Sequence, residues 1–412
     1  MTERTERRTR VEPAVLGPLA AVTFLAMMNG LALGPFIPEI AEELDSSVPI
    51  IGQVATIALV CSAISALFIG PLSDRYGHRR TILLGLVAIA LSAAGAGLAV
   101  SYPMLLAARI FTGLGIAMTA SIALAIAGSR YVGTLRLRAI SLISTAMSVA
   151  GILGVPLLTG VAVFGGWRGA FMFVTAGALL MLAVCYVALP RDTQHADAPL
   201  YLRALLGAYV PLLRSANMRR LYVANGLFFI GWGGSLIYIG AFYIDALGYS
   251  IGEVSAAYLC GGGGFFIGTT LAGGRLGSAN LRYVFAASAV VVGLALGAHY
   301  GLPLGVYLPP VLMGVVGVAG GFTVVALNTL LATESQAGPG TTMLLRGAVG
   351  DSSAALGAVI CGLLIAVGGF GTLGVALPAF TIAAALVSLR QGQETALVGE
   401  PQSRVAASHL DS

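Results

Sequence analysis

Ionisable residues are scarce in this chain, so the few that interrupt its apolar runs carry whatever chemistry it can do. The densest group is Gly70-Pro71-Leu72-Ser73-Asp74-Arg75-Tyr76-Gly77-His78-Arg79-Arg80. Gly70 and Gly77 allow a tight turn there, and Asp74, Arg75, Arg79 and Arg80 cannot enter lipid. Two more charges lie deep inside apolar stretches. Arg109 is six residues past Pro103, roughly 9 Å along a helix. Asp351 is ten residues past Thr341, roughly 15 Å into a bilayer core of ~30 Å. A charge at such depth must face protein or a water-filled cavity. Asp351 is thus the best-placed group for taking up and releasing a proton, unless backbone or hydroxyl groups satisfy it as a structural residue. Arg346 shares its helix, but five residues rotate it by about 140°, poor for a direct pair, and it is near enough the helix end to snorkel. Catalysis needs several such groups at one depth. His78, His195 and His409 fall in loops or tails, and His299 at the outer end of a span, so an enzyme is not expected.

The elements that position these residues must be membrane helices. The chain has 412 residues, 58% hydrophobic and 9% charged, with mean hydropathy +0.93. Soluble domains carry roughly 25% charged residues, so these charges cannot cover a water-facing surface. The 56 glycines suit close helix packing. Cys61, Cys185, Cys260 and Cys361 lie inside apolar runs with no CxxC pair, and read as packing residues. No metal or other cofactor is expected. The net charge of +5 does not point to nucleic acid, because the arginines sit at helix ends.

Twelve stretches reach the ~20 apolar residues a crossing needs: 14–38, 49–71, 81–99, 103–127, 138–164, 168–189, 219–245, 251–273, 281–300, 303–332, 341–367 and 370–390. The arginine-rich start runs into an apolar stretch too long for a signal peptide, and reads as a retained first span. Arginines cluster in the N-terminal tail, in the second, fourth, sixth and eighth connections and in the C-terminal tail. The opposite side holds Arg168 alone, with Glu39, Glu42, Glu43, Asp45, Asp245 and Glu253. Positive charge stays inside, so both termini are expected in the cytoplasm. The tenth connection, with Glu334 and no arginine, is an exception.

Residues 192–218 form the one long polar break. Leu202, Leu205, Leu206, Tyr209, Leu212 and Leu213 within it suit a helix lying on the membrane face. The expected layout is a tail at 1–13, a six-helix bundle at 14–191, the linker at 192–218, a second bundle at 219–390 and a tail at 391–412. Weak internal symmetry supports it. Ser73–Gly77 aligns with Gly273-Gly274-Arg275-Leu276-Gly277, and Leu153-Gly154 with Leu356-Gly357. The second copy has lost the aspartate.

These twelve spans, the central break and the Gly70–Arg80 segment resemble the major facilitator superfamily. The segment fits that family's pattern Gly-x-x-x-Asp-Arg-x-Gly-Arg-Arg-Arg/Lys, with His78 in place of one basic residue. Arg109-Ile110-Phe111-Thr112-Gly113-Leu114-Gly115 is similar to its Arg-x-x-x-Gly-x-Gly pattern. Gly151-Ile152-Leu153-Gly154-Val155-Pro156-Leu157-Leu158-Thr159-Gly160, followed by Gly166-Trp167-Arg168, is similar to its antiporter motif, with Val155 between Gly154 and Pro156.

The resemblance implies an all-α membrane fold of two pseudo-symmetric six-helix bundles, and a multi-pass transporter of the cell membrane working by alternating access. It implies a proton-coupled exporter of small organic compounds or drugs; a sugar, amino-acid or nucleoside carrier, or a uniporter, is the alternative. Its partners would be a small organic substrate, protons and lipid, with the chain a monomer. It makes Gly70, Asp74, Arg75, Gly77, Arg79 and Arg80 a gate latch, with Asp74 facing the start of span eleven near Thr341; charge-directed topology accounts for the same residues. It ties Arg109 to proton transfer, where carbonyl bonding or snorkelling are the structural readings. It ties Gly151, Gly154, Pro156 and Gly160 to export, where helix packing explains them equally. Acids usual in the first or fourth span are missing. Cavity candidates are Met28, Asn29, Thr145, Ser148, Asn225, Phe229, Trp232 and Asn328. Their mix suits a neutral or weakly charged amphipathic substrate.

Overall fold

The computed structural model describes residues 12–46, 48–190, 207–249, 251–277 and 279–390, and these are helical throughout, with no strand among them. The helices are α1 (Pro13–Leu31), α2 (Ile37–Glu43), α3 (Val48–Tyr76), α4 (His78–Gly97), α5 (Tyr102–Arg130), α6 (Gly133–Val149), α7 (Val155–Ala188), α8 (Val210–Arg214), α9 (Ala216–Ala241), α10 (Ile251–Arg275), α11 (Leu281–Gly301), α12 (Leu308–Glu334), α13 (Pro339–Gly368) and α14 (Leu373–Leu389). Residues 1–11 of the N-terminal tail, the C-terminal tail and residues 191–206 lie outside the described residues, and so does the first half of the helix expected on the membrane face. Its second half is the short α8, preceded by buried Tyr209 and carrying buried Leu212.

Eight apolar stretches are long enough to cross a membrane, and one of them runs from 133 to 188. Gly165 (φ −142°) and Gly166 (φ +59°) break it, so it makes two crossings. With α3, α9 and α10, of 29, 26 and 25 residues, the described residues make twelve. Apolar side chains such as Leu180, Val187, Leu363 and Val367 stand exposed; against lipid that costs nothing, and helix contact must come from close packing and polar bonds. The α10–α12 seam shows it. An added Cβ at Gly264, Gly268, Gly317 or Gly321 would collide with the backbone of the opposite helix. Cys260 is exposed rather than packed, and all four cysteines are free.

The two halves meet through α3 against α13 and through α6 against α10. Hydrogen bonds between the halves gather at the arginine-rich end. Ser141 Oγ donates to the Thr269 carbonyl, Thr145 Oγ1 donates to Thr269 Oγ1 (3.0 Å), and Arg136 Nη1 to Thr333 Oγ1 (2.8 Å) and the Ala332 carbonyl (3.3 Å). The conformer is closed at that end. The exception in the tenth connection is also resolved there: Arg282 Nε (3.3 Å) donates to Glu334, its Nη2 pairs with the same carboxylate, and Arg136 caps the neighbouring carbonyl.

Candidate functional site

The charged segment is less of a loop than its composition suggests. α3 continues through Pro71 to Tyr76, and Gly77 (φ +106°) alone makes the turn into α4. Proline at an interior position removes one N–H, yet the helix survives, with Ser73 Oγ donating to the Gly70 carbonyl at 2.8 Å. Asp74 is thereby carried to the first turn of α13. Its Oδ1 accepts from the Gly340 N–H at 2.7 Å, and its Oδ2 from the Thr341 N–H (2.8 Å) and Oγ1 (2.7 Å). Pro339 at the first helical position and the free N–H groups behind it form a site for an anion, which the carboxylate fills from the other half. Backbone must come close for this. A Cβ on Gly70 would lie 2.8 Å from Thr341 Cα, and one on Gly340 would strike Ser73.

The arginines of the segment do different things. Arg79 Nη2 donates to the Tyr186 carbonyl at 2.5 Å and its guanidinium lies over the Tyr186 ring (5.0 Å). Arg75 lies over Tyr76 at 5.7 Å, and Arg80 is exposed. Tyr209 was not picked out as a site residue, yet its hydroxyl donates to the Leu67 carbonyl at 2.5 Å, tying the linker to α3. Burial, then the Asp74 charge, push that phenol well above its usual range, so it stays a donor. Pro71, Asp74, Arg75, Ala208, Pro211, Gly338 and Thr341 line a cleft of about 390 Å³ at this point.

Arg109 is wholly buried. Its Nη1 and Nη2 donate to the carbonyls of Asn29 and Gly30, each at 3.2 Å. These are among the last carbonyls of α1, that of Asn29 also accepting from the Ala32 N–H (3.4 Å), and a guanidinium completes the helix's negative end. The Asn29 side chain is buried with neither polar atom partnered, and Met28 packs near Gly154. Gly154 closes a π-helical turn at Ala150–Gly154 whose Ile152 reaches Gly262 of α10. π turns recur at functional positions. The segment carrying Gly151, Gly154, Pro156 and Gly160 therefore lies between α1 and α10; nothing crowds Gly151 or Gly160.

The other half holds a second buried guanidinium. Arg346 does not snorkel. It is 9% exposed, donates from Nη1 to Asn328 Oδ1 (3.1 Å) and lies over the Phe229 ring at 5.8 Å. Asn225 Nδ2 donates to the Arg346 carbonyl at 3.0 Å. Distance to the helix end does not decide its exposure, because α9 and α12 close over this part of α13. Trp232, two turns from Asn225, lies beside Phe265 at 5.5 Å with Gly320 under its ring. Asp351 is half-buried and makes no hydrogen bond among the described residues. Thr145 is taken up by the seam with α10, and Ser148 bonds within its own helix.

At the opposite end Glu43 accepts from Trp167 Nε1 (2.5 Å) and Arg168 (2.7 and 3.0 Å), while Arg168 Nη1 caps the carbonyls of Gly97 and Ala99. One arginine thus gathers α2, α4 and α7.

Comparison with known proteins agrees with this architecture. The family model described as Major Facilitator Superfamily matches residues 19–358. The transcription regulatory protein OpdE of Pseudomonas aeruginosa is 28% identical over 282 residues, 66% of this chain and 68% of that one. The purine ribonucleoside efflux pump NepI of Escherichia coli O6:H1 is 25% identical over 296 residues, 68% of this chain and 71% of the pump. The crystal structure of the human organic anion transporter MFSD10 superposes with a TM-score of 0.79 at 18% identity, covering 92% of this chain and all of that one (100%).

Proposed function

The chain belongs to the Major Facilitator Superfamily, a family of multi-pass membrane transporters rather than enzymes, and from that premise we propose that it is a proton-coupled exporter of small organic compounds across the cell membrane. Residues 14–191 and 219–390 are the two units that rock, joined by 192–218, with both termini cytoplasmic and the chain acting as a monomer. The observation that carries alternating access is the Asp74 carboxylate on the Gly340 and Thr341 N–H groups. It is a bond between halves that must break for the arginine-rich end to open. Export is favoured by the π-turned segment at Ala150–Gly154, which resembles the antiporter motif and packs between α1 and α10. The 25% identity with a protein named as an efflux pump points the same way.

Asp351 is the proposed proton carrier, near the middle of α13, and Arg109 holds the end of α1 in place for it. Proteoliposomes loaded with a panel of toxic organic compounds test the reading. A pH gradient should drive export of at least one compound, and its addition should move protons. Asp351→Asn should abolish the gradient-driven part; full gradient-driven export by that variant removes Asp351 from the role.

A second reading is a carrier of sugars, amino acids or nucleosides without proton coupling. Arg109 favours it, since that guanidinium is spent on helix carbonyls with no acid in the middle of the first or fourth span. Substrate flux with no accompanying proton movement would select it.

A further inference from the structure

We propose that the junction of α9, α12 and α13 around Arg346 recognises a carboxylate on the transported molecule. This rests on the transport reading above and names the chemistry its substrate presents. Arg346 is a buried cation held by neutral groups. Among the described residues, its side chain donates one hydrogen bond, to an amide oxygen, Asn328 Oδ1 at 3.1 Å, and its face rests on Phe229. No acid lies within ion-pair distance of it among the described residues. Asp351, five residues on along the same helix, is close enough for its charge to act on the guanidinium but forms no ion pair or hydrogen bond with it. A buried cation without a paired anion is costly, and a partner from outside the chain can remove that cost.

The polar atoms left over define that partner. Arg346 Nε and Asn328 Nδ2 are buried donors with nothing to bond, and Asn225 Oδ1 is a buried acceptor in the same state. The residues carrying them are locked together, Arg346 to Asn328 by side chain and Asn225 to Arg346 by backbone. Asn225 and Asn328 are wholly buried. Two donors beside a positive charge match the two oxygens of a carboxylate. The acceptor suits an N–H or hydroxyl elsewhere on the same molecule. Phe229 is half-buried and Trp232 touches it (5.6 Å between centroids), which gives an aromatic body a surface next to the charge. The weakly charged amphipath expected from the sequence thus becomes an aromatic or apolar acid.

The test uses purified full-length protein in nanodiscs. Thermal shift and tryptophan fluorescence are read against benzoate, phenylacetate, indole-3-acetate and 1-naphthoate, each beside its methyl ester. At least one acid should bind while its ester does not. Arg346→Gln should weaken that acid roughly tenfold or more, the worth of a charged hydrogen bond, and Arg346→Lys should recover part of the loss. Asn328→Asp supplies the carboxylate from within. It should keep a sharp melting transition and lose acid binding, so it carries the test if Arg346→Gln does not fold. Binding of no acid, equal binding of acid and ester, or unchanged acid binding by both Arg346→Gln and Asn328→Asp overturns the proposal. Flux of a neutral compound in proteoliposomes with any of those results sinks the acid site and leaves transport standing. Arg346-dependent acid binding without flux of any compound does the reverse.

Discussion

Asp74 places one negative charge where three donors of the opposite half converge. A carboxylate at a helix N-terminus contributes about 0.3–1 kcal/mol when exposed and up to ~2 when partly buried. Asp74 is partly buried, with 17% of its side chain exposed, so the upper figure applies and biases closure by roughly thirtyfold. That is enough to favour one conformer without trapping it. Asp74→Asn keeps the shape, loses the charge and turns one acceptor into a donor facing an N–H. We expect slower transport at normal expression, and faster labelling of Ala208→Cys by an impermeant thiol reagent at the arginine-rich cleft. Unchanged flux and labelling would return the segment to a topological role. The resemblance put Asp74 against the start of α13, and Pro339 supported it by marking a helix start; the sequence did not show that His78, one turn on, also comes within 3.7 Å of the carboxylate. Arg346 was harder to read. Whether an arginine seven residues into a helix reaches water depends on what α9 and α12 lay over it, and one helix's sequence does not hold that.

Two kinds of seam use glycine, and they should respond differently to the same change. Gly317 lies inside one half, where an added Cβ would strike Gly261 and Phe265 backbone; Gly70 lies between halves, against Thr341. Gly317→Val should cost at least about 1–3 kcal/mol of packing and lower the melting temperature. Gly70→Val should leave melting nearly unchanged and shift the protein toward a state open at the arginine-rich end, read again by Ala208→Cys labelling. Equal melting losses would mean that the halves do not move as units. The clasp at the opposite end is electrostatic. The Arg168 hydrogen bonds, then that of Trp167, hold the Glu43 carboxyl below its usual range. A depressed carboxyl stabilises the fold above its unfolded value and loses that as pH falls through the folded one. Thermal stability should therefore hold from about pH 7 to 5 and then decline, and Glu43→Gln should flatten the decline. The helices themselves were legible from hydropathy alone, and so was the break at Gly165–Gly166, where a glycine pair follows an apolar run. The π turn at Ala150–Gly154 was not. Glycines and a proline announced a bend, but the π turn itself, with Met28 of α1 and Gly262 of α10 packed beside it, is not written in their spacing.

The molecule as a whole is held shut by two seams related by its internal symmetry, and they are not equivalent. In one, Asp74 of α3 meets the start of α13. In the other, Gly273 of α10 packs on Ser141 at the middle of α6, and the position matching the aspartate is Gly274. One seam carries charge; the other relies on close contact and hydroxyl bonds such as Thr145 to Thr269. An isomerisation that opens the arginine-rich end must part both, so covalent closure of the uncharged seam should stop transport while Asp74 remains intact. Thr145→Cys combined with Thr269→Cys does this without touching the charged latch, since the hydroxyls replaced are 3.0 Å apart and a small side-chain rotation brings two sulfurs in their places to the bonding distance of about 2.05 Å. Oxidation should abolish flux in the double variant, reductant should restore it, and neither single variant nor the wild type, whose four cysteines are free, should respond. If the oxidised pair still transports, the halves move by something other than rocking apart at this end, and the Asp74 bond loses its meaning as a gate.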